Sequence, residues 1–215
     1  MKTPVDLVMF DLDGTLADTG RDLADAVNFT RNHFSLNALP DKLVLSYVGR
    51  GVEHLLREAI PEENPAHFGE MMQVFLERYE SHLLDATVLY PDVRNVLDYF
   101  RAKKRAVVSN KMQRLTLKVV RGLGIAGEFD LIVGADPNTQ KKPQPEMLNS
   151  VVEQLQIEPA RALMIGDGEI DVQAGKSAGV LTCGVTYGLT AKETVAAAGP
   201  DFLIDHLSKL TDIFC

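Results

Sequence analysis

The chain has 215 residues, slightly more than a typical single domain, of which 46% are hydrophobic and 24% charged. This composition is ordinary for a globular protein with a sizeable core. The net charge is -8, and no stretch gathers five basic residues. Both features argue against nucleic acid as a partner, because nucleic-acid binding needs a local cationic surface.

The apolar runs and the cysteines of the chain indicate a cytoplasmic location. Asp11 interrupts the first apolar run too early for a signal peptide, and no later apolar run approaches the length of a membrane span. Cys183 and Cys215 lie far apart in the sequence and offer no metal-ligand spacing. We therefore interpret the chain as a cytoplasmic protein with reduced thiols and no membrane partner, either a monomer or a homodimer.

Short apolar runs recur along the chain and predict buried strands. The first run extends from Val5 to Phe10. The later runs occupy residues 105–109, 131–134, 162–165 and 180–185. Helical patterns fall between them, one beginning at Pro145 and another ending at Gly179. Strands that alternate with helices predict an α/β fold: a Rossmann-like parallel sheet covered by helices on both faces, in three layers.

The pattern changes after the first strand. From about residue 21 to residue 86 the periodicity is helical, with apolar stripes such as the one from Phe68 to Tyr79 that are typical of a packed core. We predict an all-helical cap domain at residues 18–87, inserted into a core domain made of residues 1–17 and 88–215. Open α/β sheets bind their ligands at the carboxyl ends of the strands, so we expect the cap to cover that edge and to govern access.

Four aspartates follow two of the predicted strands. Asp11 and Asp13 end the first run, and residues i and i+2 of an extended chain point to the same face. Asp167 ends the run in "MIGDGEID", and Asp171 lies one helical turn later. If these strands are neighbours, four carboxylates converge and cannot all ionise without a cation. Oxygen ligands suit Mg²⁺, so we predict that these four residues hold it.

Two further strand ends carry groups that suit a phosphoryl ligand. "AVVSNK" offers the Ser109 hydroxyl with Asn110 beside it, and "KKPQP" supplies Lys142. The ammonium of Lys142 can neutralise a phosphate and the carboxylates together. Each of these two short motifs alone is more typical of a solvated loop. The four stretches together, in this order and each at a strand end, indicate a site for phosphoryl chemistry.

With these motifs, the chain closely resembles the haloacid dehalogenase superfamily over essentially its whole length, and specifically phosphatases with a helical cap after the first strand. The four motifs are matched by Asp11-Leu-Asp-Gly-Thr15, by Ser109, by Lys142, and by Gly166-Asp167 with Asp171. The resemblance implies Mg²⁺-dependent hydrolysis of small phosphorylated metabolites, through an aspartyl-phosphate formed on Asp11.

The resemblance also implies individual roles. Asp13 would protonate the leaving alcohol and then activate water, and its main-chain carbonyl would bind the metal with the carboxylates of Asp11 and Asp167. Asp171 would support that site. The roles of the remaining residues are catalysis for Lys142 and binding of phosphoryl oxygens for Thr15 and Ser109. Gly168 stands where the family usually has serine or threonine, which we expect to loosen the surroundings of the metal without removing a ligand.

The predicted cap contains "SYVGRGVEHLL", in which Gly49 and Gly51 flank Arg50. Glycines allow close backbone approach, and an arginine there can clamp a second anionic group such as a carboxylate. A solvated arginine in a helix–helix turn is the alternative. The stretch resembles phosphoglycolate phosphatases, so we expect 2-phosphoglycolate to be the substrate, bound in part by Gly49 and Arg50.

Other functions stay open. A phosphosugar mutase of the β-phosphoglucomutase type or a pyrophosphatase of the same superfamily would use the same core. A non-catalytic phospholigand-binding module would belong to a different class. The presence of Asp11, Asp13, Lys142 and Asp167 argues against that module, because binding alone needs neither a nucleophile nor an acid.

Overall fold

A computed structural model describes residues 2–60 and 67–215 of the chain. In chain order the strands of the described residues are β1 (Leu7–Phe10), β2 (Ala17–Asp18), β3 (Val88–Leu89), β4 (Lys104–Met112), β5 (Leu131–Ala135), β6 (Ala162–Gly166), β7 (Leu181–Val185) and β8 (Phe202–Ile204). The helices are α1 (Gly20–His33), α2 (Asp41–Leu45), α3 (Val52–Ala59), α4 (Phe68–His82), α5 (Val93–Tyr99), α6 (Gln113–Gly122), α7 (Glu146–Leu155), α8 (Glu169–Ser177), α9 (Lys192–Ala197) and α10 (Leu210–Ile213).

Six strands form one parallel sheet in the order β5-β4-β1-β6-β7-β8. The first strand lies near the middle, and its last residue, Phe10, is opposite Val107 of β4 and Ile165 of β6. The segments that follow these strands therefore meet at one edge. A separate antiparallel pair joins β2, just before the helices α1–α4, to β3, just after them.

Successive residues of β1 pack into two different cores. Val8 and Phe10 belong to one core, and Leu7 and Met9 belong to the other, where α7 packs against the sheet. All four side chains are buried, which explains why this strand is a continuous apolar run rather than an alternating one. The predicted three-layer α/β fold is confirmed.

Sequence patterns located the main strands but missed the small ones. The five predicted apolar runs all contain strands, whereas β2, β3 and β8 have only two or three residues each and give too short a pattern to detect. The described residues between 21 and 86 contain only helices, as predicted. Residues 61–66 of the predicted cap lie outside the described residues, and the division into two domains stays a prediction.

None of the described helices has the length and the apolar character that crossing a membrane requires. The longest of them, α4, has 15 residues and carries several charges.

One buried carboxylate ties the start of the helical segment to its end. Asp22, in the first turn of α1, accepts hydrogen bonds from the main-chain N–H groups of Ala86 at 3.0 Å and Thr87 at 2.9 Å. The Thr87 hydroxyl donates a further bond of 2.7 Å. This carboxylate therefore holds the returning chain just before β3, and its loss would leave buried N–H donors without a partner.

We expect Asp22→Ala to lower the free energy of unfolding by about 1.5–3 kcal/mol, because charge-assisted bonds to buried donors are lost. Asp25→Ala is the matched control, since Asp25 is exposed on the same helix and pairs only with Arg21 in the described structure. That control should change stability by less than about 0.5 kcal/mol. Urea denaturation of both variants measures the difference, and equal losses would contradict the tether.

Candidate active site

The site lies where β1, β4 and β6 end side by side. The N–H of Asp11 donates to the carbonyl of Ile165 at 2.9 Å, so Asp11 continues the hydrogen-bond pattern of the sheet beyond the end of β1. Pairing of β4 with β5 shifts register between Val108 and Met112. Such irregularities re-aim side chains at the rim of a sheet, and here the irregular stretch contains Ser109.

Three carboxylates converge at this edge. Oxygen atoms of Asp11, Asp167 and Asp171 all lie within 4.8 Å of one another, and all three residues are buried. Burial raises the pKa of Asp11 to about 7, against the lowering effect of Lys142. Burial, together with the charges of Asp11 and Asp171, raises the pKa of Asp167 to about 8. The protein alone thus disfavours the fully ionised cluster, and a cation among these oxygens would restore it.

Lys142 supplies one positive charge to the cluster. Its side chain is fully buried, and its ammonium lies 2.6 Å from Asp171 Oδ1 and 3.0 Å from Asp11 Oδ1. A third bond of 2.7 Å to the carbonyl of Val108 fixes the ammonium against β4. Burial lowers the pKa of Lys142, but its two carboxylate partners raise it further, so the net shift is upward and the ammonium stays charged.

Main-chain donors orient two of the carboxylates. Asp167 Oδ2 accepts hydrogen bonds from the N–H groups of Leu189 at 2.7 Å and Thr190 at 3.2 Å. Asp171 Oδ2 accepts one of 3.0 Å from the N–H of Gly168. This last bond uses only the backbone of Gly168, so the missing hydroxyl at that position does not remove it. The effect of Gly168 on metal binding stays a prediction.

Close approach of the backbone requires glycine at the edge of the cluster. Gly14 has a φ of 82°, in the left-handed region, and a Cβ there would collide with the carboxylate of Asp167. Glycine at the fourth position of the DxDG motif thus leaves room for the carboxylate of Asp167, which lies 153 positions later in the chain.

Asp13 does not join the three convergent carboxylates. Its oxygens accept bonds of 2.9 and 3.0 Å from the ammonium of Lys111, and one of 2.7 Å from the hydroxyl of Thr19. The two aspartates of the first motif therefore have different cationic partners, Lys142 for Asp11 and Lys111 for Asp13. The predicted metal contact through the main-chain carbonyl of Asp13 stays a prediction.

The predicted phosphate-binding residues lie around the cluster. The Thr15 hydroxyl is 3.4 Å from Asp167 Oδ1, and Ser109 Oγ accepts a bond of 3.3 Å from the N–H of Lys111. Asn110 makes its described bonds to the main chain instead. Its side-chain amide donates to the carbonyls of Gly49 at 3.0 Å and Lys142 at 2.8 Å, and its oxygen accepts from the N–H of Lys142 at 2.9 Å. Asn110 thus fixes the main chain of Lys142.

Arg50 projects from the glycine-flanked loop to the far side of the site. Its guanidinium is 2.7 Å from Glu169 Oε1, and the two side chains are 47% and 28% exposed. A substrate carboxylate at Arg50 would share the guanidinium with Glu169. Its role in substrate binding stays a prediction.

Two cavities open beside Asp11 and Asp13. The larger has a volume of about 620 Å³ and extends past Arg50 to the loop of Gly188 and Leu189. The smaller, of about 50 Å³, lies between the end of β4 and the helices α3 and α4, with Lys111 in its wall. We call this second space the inner pocket.

Sequence reasoning named the "SNK" triplet but assigned no role to its lysine. Lys111 is buried with a side chain only 5% exposed, and its ammonium lies 4.8 Å from the ring centre of Tyr79. A signal was available, since residues i and i+2 of a strand share a face, which places Lys111 on the side of Ser109. The partner of Lys111, Asp13, was not predictable because it is 98 residues away.

Comparison with known proteins agrees with this geometry. Residues 8–185 match the sequence model of the family described as haloacid dehalogenase-like hydrolase. The chain belongs to the haloacid dehalogenase-like hydrolases. A family relative from Chromobacterium violaceum, named phosphoglycolate phosphatase, is 36% identical over 213 residues, covering 96% of this chain and 95% of the relative. A protein of the same name from Aquifex aeolicus is 34% identical over 209 residues, with coverage of 96% and 95%.

Solved structures of this family share the whole fold. The crystal structure of a predicted phosphoglycolate phosphatase from Haemophilus somnus superimposes with a TM-score of 0.92 at 26% identity, covering 97% of each chain. The predicted membership of the haloacid dehalogenase superfamily is thereby confirmed, and the chain is an enzyme of the hydrolase class.

We expect Lys142→Met to destabilise the metal-free protein by about 3–5 kcal/mol, because it leaves buried carboxylates without their cation. Lys141→Met is the matched control, since the neighbouring lysine is only partly buried and makes none of these contacts in the described structure. Denaturation at pH 7 in the presence of a chelator measures both. A loss as small as that of the control would show that Lys142 does not stabilise the cluster.

Proposed function

We propose that this hydrolase is a Mg²⁺-dependent phosphatase that cleaves small phosphate monoesters, above all 2-phosphoglycolate, through an aspartyl-phosphate on Asp11. The observation that supports this most directly is the separation of two acids at one strand end. Asp11 lies with Lys142 and two more buried carboxylates, whereas Asp13 has its own lysine. One acid can then act as nucleophile while the other transfers protons.

The convergent carboxylates fit a divalent cation. They offer hard oxygen ligands within one small space, and burial first and the neighbouring carboxylates second raise the pKa values of Asp11 and Asp167. Asp11 and Asp167 would hold the ion, with the carbonyl of Asp13, and Asp171 would support them. The ion would neutralise the phosphate dianion and so lower its repulsion toward a carboxylate nucleophile.

Within this proposal, the residues act in two displacements. Asp11 attacks phosphorus while Asp13 gives a proton to the leaving oxygen, and Asp13 then takes a proton from the water that cleaves the phosphoenzyme. The hydroxyls of Thr15 and Ser109 and the ammonium of Lys142 bind the phosphoryl oxygens. Using one residue as acid and then as base serves both steps with a single group.

The choice of substrate is supported by the relatives and by size. Proteins named phosphoglycolate phosphatase match this chain over nearly their full lengths. The inner pocket has about 50 Å³, far below the roughly 300–1,000 Å³ of pockets that enclose drug-sized ligands. A two-carbon substituent is better matched to the inner pocket than a sugar, whereas the larger cavity of about 620 Å³ has room for either, so the names of the relatives carry the preference for a small ester over a phosphosugar mutase.

Phosphate release from 2-phosphoglycolate tests the proposal directly. We expect turnover that stops with a chelator and returns with Mg²⁺, and we expect Asp11→Asn to lose several orders of magnitude because an amide cannot act as this nucleophile. Circular dichroism should show that the variant remains folded. Release by Asp11→Asn near the wild-type rate would exclude Asp11 as the nucleophile.

Asp13→Asn separates the acid from the nucleophile. Its side chain can no longer transfer the catalytic proton, and loss of such help costs about a hundred- to ten-thousand-fold in rate. We expect a smaller loss for aryl phosphates, whose leaving groups need less protonation. The measurement compares kcat for an alkyl and an aryl ester, and equal losses would argue against Asp13 as the acid.

A further inference from the structure

The part of the substrate that leaves with the ester oxygen needs a place near Asp13. In the proposed mechanism Asp13 protonates that oxygen, so the organic substituent extends from it into whichever space Asp13 adjoins. Asp13 lines both cavities, and the inner pocket is the one whose wall also contains Ser109 and Lys111. Its other walls include Val52, Leu55 and Phe75, which come from the helical segment.

The inner pocket contains a buried positive charge. Among the described residues that line it, Lys111 is the only one with a cationic side chain. An ammonium has three N–H donors; two bonds of 2.9 and 3.0 Å go to Asp13, and the remaining donor has the Tyr79 hydroxyl oxygen as its neighbouring acceptor. A charge held in so dry a place interacts strongly with an anion that enters, because little water screens it.

The same pocket contains an unsatisfied hydroxyl. Tyr79 of α4 is 1% exposed, and its hydroxyl proton has no acceptor among the described residues, because the neighbouring Lys111 ammonium can only donate to it. Its ring lies against the Lys111 ammonium, at 4.8 Å from the ring centre. Buried hydroxyls are almost always paired in folded proteins, so an orphan one in a pocket wall points to a missing acceptor.

We propose that Lys111 and Tyr79 form a carboxylate-binding subsite that recognises the acid group of the leaving alcohol. A carboxylate offers two acceptor oxygens, enough for the Tyr79 hydroxyl and for the third N–H of Lys111, which would exchange the phenol oxygen for a stronger, charged acceptor. The subsite rests on the proposed phosphatase function and specifies its substrate class: phosphate esters of small hydroxy acids. Lys111 thereby joins the two halves of the reaction, since one ammonium contacts both the proposed acid and the group that leaves.

This placement differs from the one that the sequence favoured. Arg50 is half exposed and already paired with Glu169, and water weakens an ion pair in that position. Lys111 and Tyr79 are buried, so water screens the same contact far less there. The carboxylate contact with the larger effect on efficiency should therefore come from the inner pocket.

The test compares kcat/KM for 2-phosphoglycolate and for 2-hydroxyethyl phosphate, an ester of similar size with a neutral substituent. Tyr79→Phe removes only the orphan hydroxyl and leaves the packing of the ring unchanged. Lys111→Met removes the charge, and Lys111→Arg keeps it. Tyr47→Phe is the matched control, because Tyr47 is a tyrosine of the same helical segment that does not line the inner pocket.

We expect the wild type to have the higher kcat/KM for 2-phosphoglycolate. Tyr79→Phe should lower the ratio of the two kcat/KM values about ten-fold, mainly through a lower kcat/KM for 2-phosphoglycolate. Lys111→Met should lower the ratio of kcat/KM between the two esters by about ten- to a hundred-fold, in addition to any loss of activity that both esters share. Lys111→Arg should retain part of the wild-type ratio. Tyr47→Phe should keep the wild-type ratio.

Two results would overturn the subsite. The first leaves the proposed substrate intact, and the second excludes it as well. If Tyr79→Phe and Lys111→Met keep the wild-type preference, or if Tyr47→Phe loses as much, the subsite is wrong while the proposed substrate stands. If the wild type hydrolyses both esters equally well, the subsite and the preference for phosphoglycolate both fail. Asp11-dependent turnover in that case would still leave the phosphatase chemistry intact.

Discussion

Burying three carboxylates beside a single ammonium is the constraint on which the rest of this structure depends. Asp11, Asp167 and Asp171 approach within 4.8 Å, and Lys142 balances only part of their charge. Parallel pairing of β1 with β6 brings the first two together, and the first turn of α8 adds the third. The fold thus gathers more negative charge than its own side chains neutralise, and this excess is what makes the edge suited to a divalent cation and a phosphate.

The second acid of the first motif is kept apart from that cluster by its own cation. Asp13 faces Lys111 and Thr19, although only Leu12 separates it from Asp11. Two carboxylates so near in sequence thereby have different electrostatic surroundings, and different surroundings allow different roles. The register shift in β4 contributes to this division, because it lies in the stretch that carries Ser109 and Lys111.

The helical segment supplies what the sheet lacks. The sheet edge provides carboxylates and a lysine that suit any phosphate ester, and it also places Lys111 in the wall of the inner pocket. α4 brings Phe75 and Tyr79 over Lys111, and the loop at Gly49 is held to the site through Asn110. The helices of this segment enclose the inner pocket of about 50 Å³ beside Asp13, which also adjoins the larger cavity of about 620 Å³. In the proposed function, the sheet edge carries the chemistry, and Lys111 with the helices around it selects the substrate.

The sequence by itself determined the α/β fold and the residues that gather at its edge, because hydrophobic period and strand-end position are local properties. The pattern of Asp11, Ser109, Lys142 and Asp167 needed only the rule that parallel strands end at one edge. Tertiary structure decided which cation each acid has, that Arg50 pairs with Glu169, and that Tyr79 faces Lys111. These contacts join residues 32 to 131 positions apart. They depend on how α4 and the glycine loop pack on the sheet, and no local spacing encodes that packing.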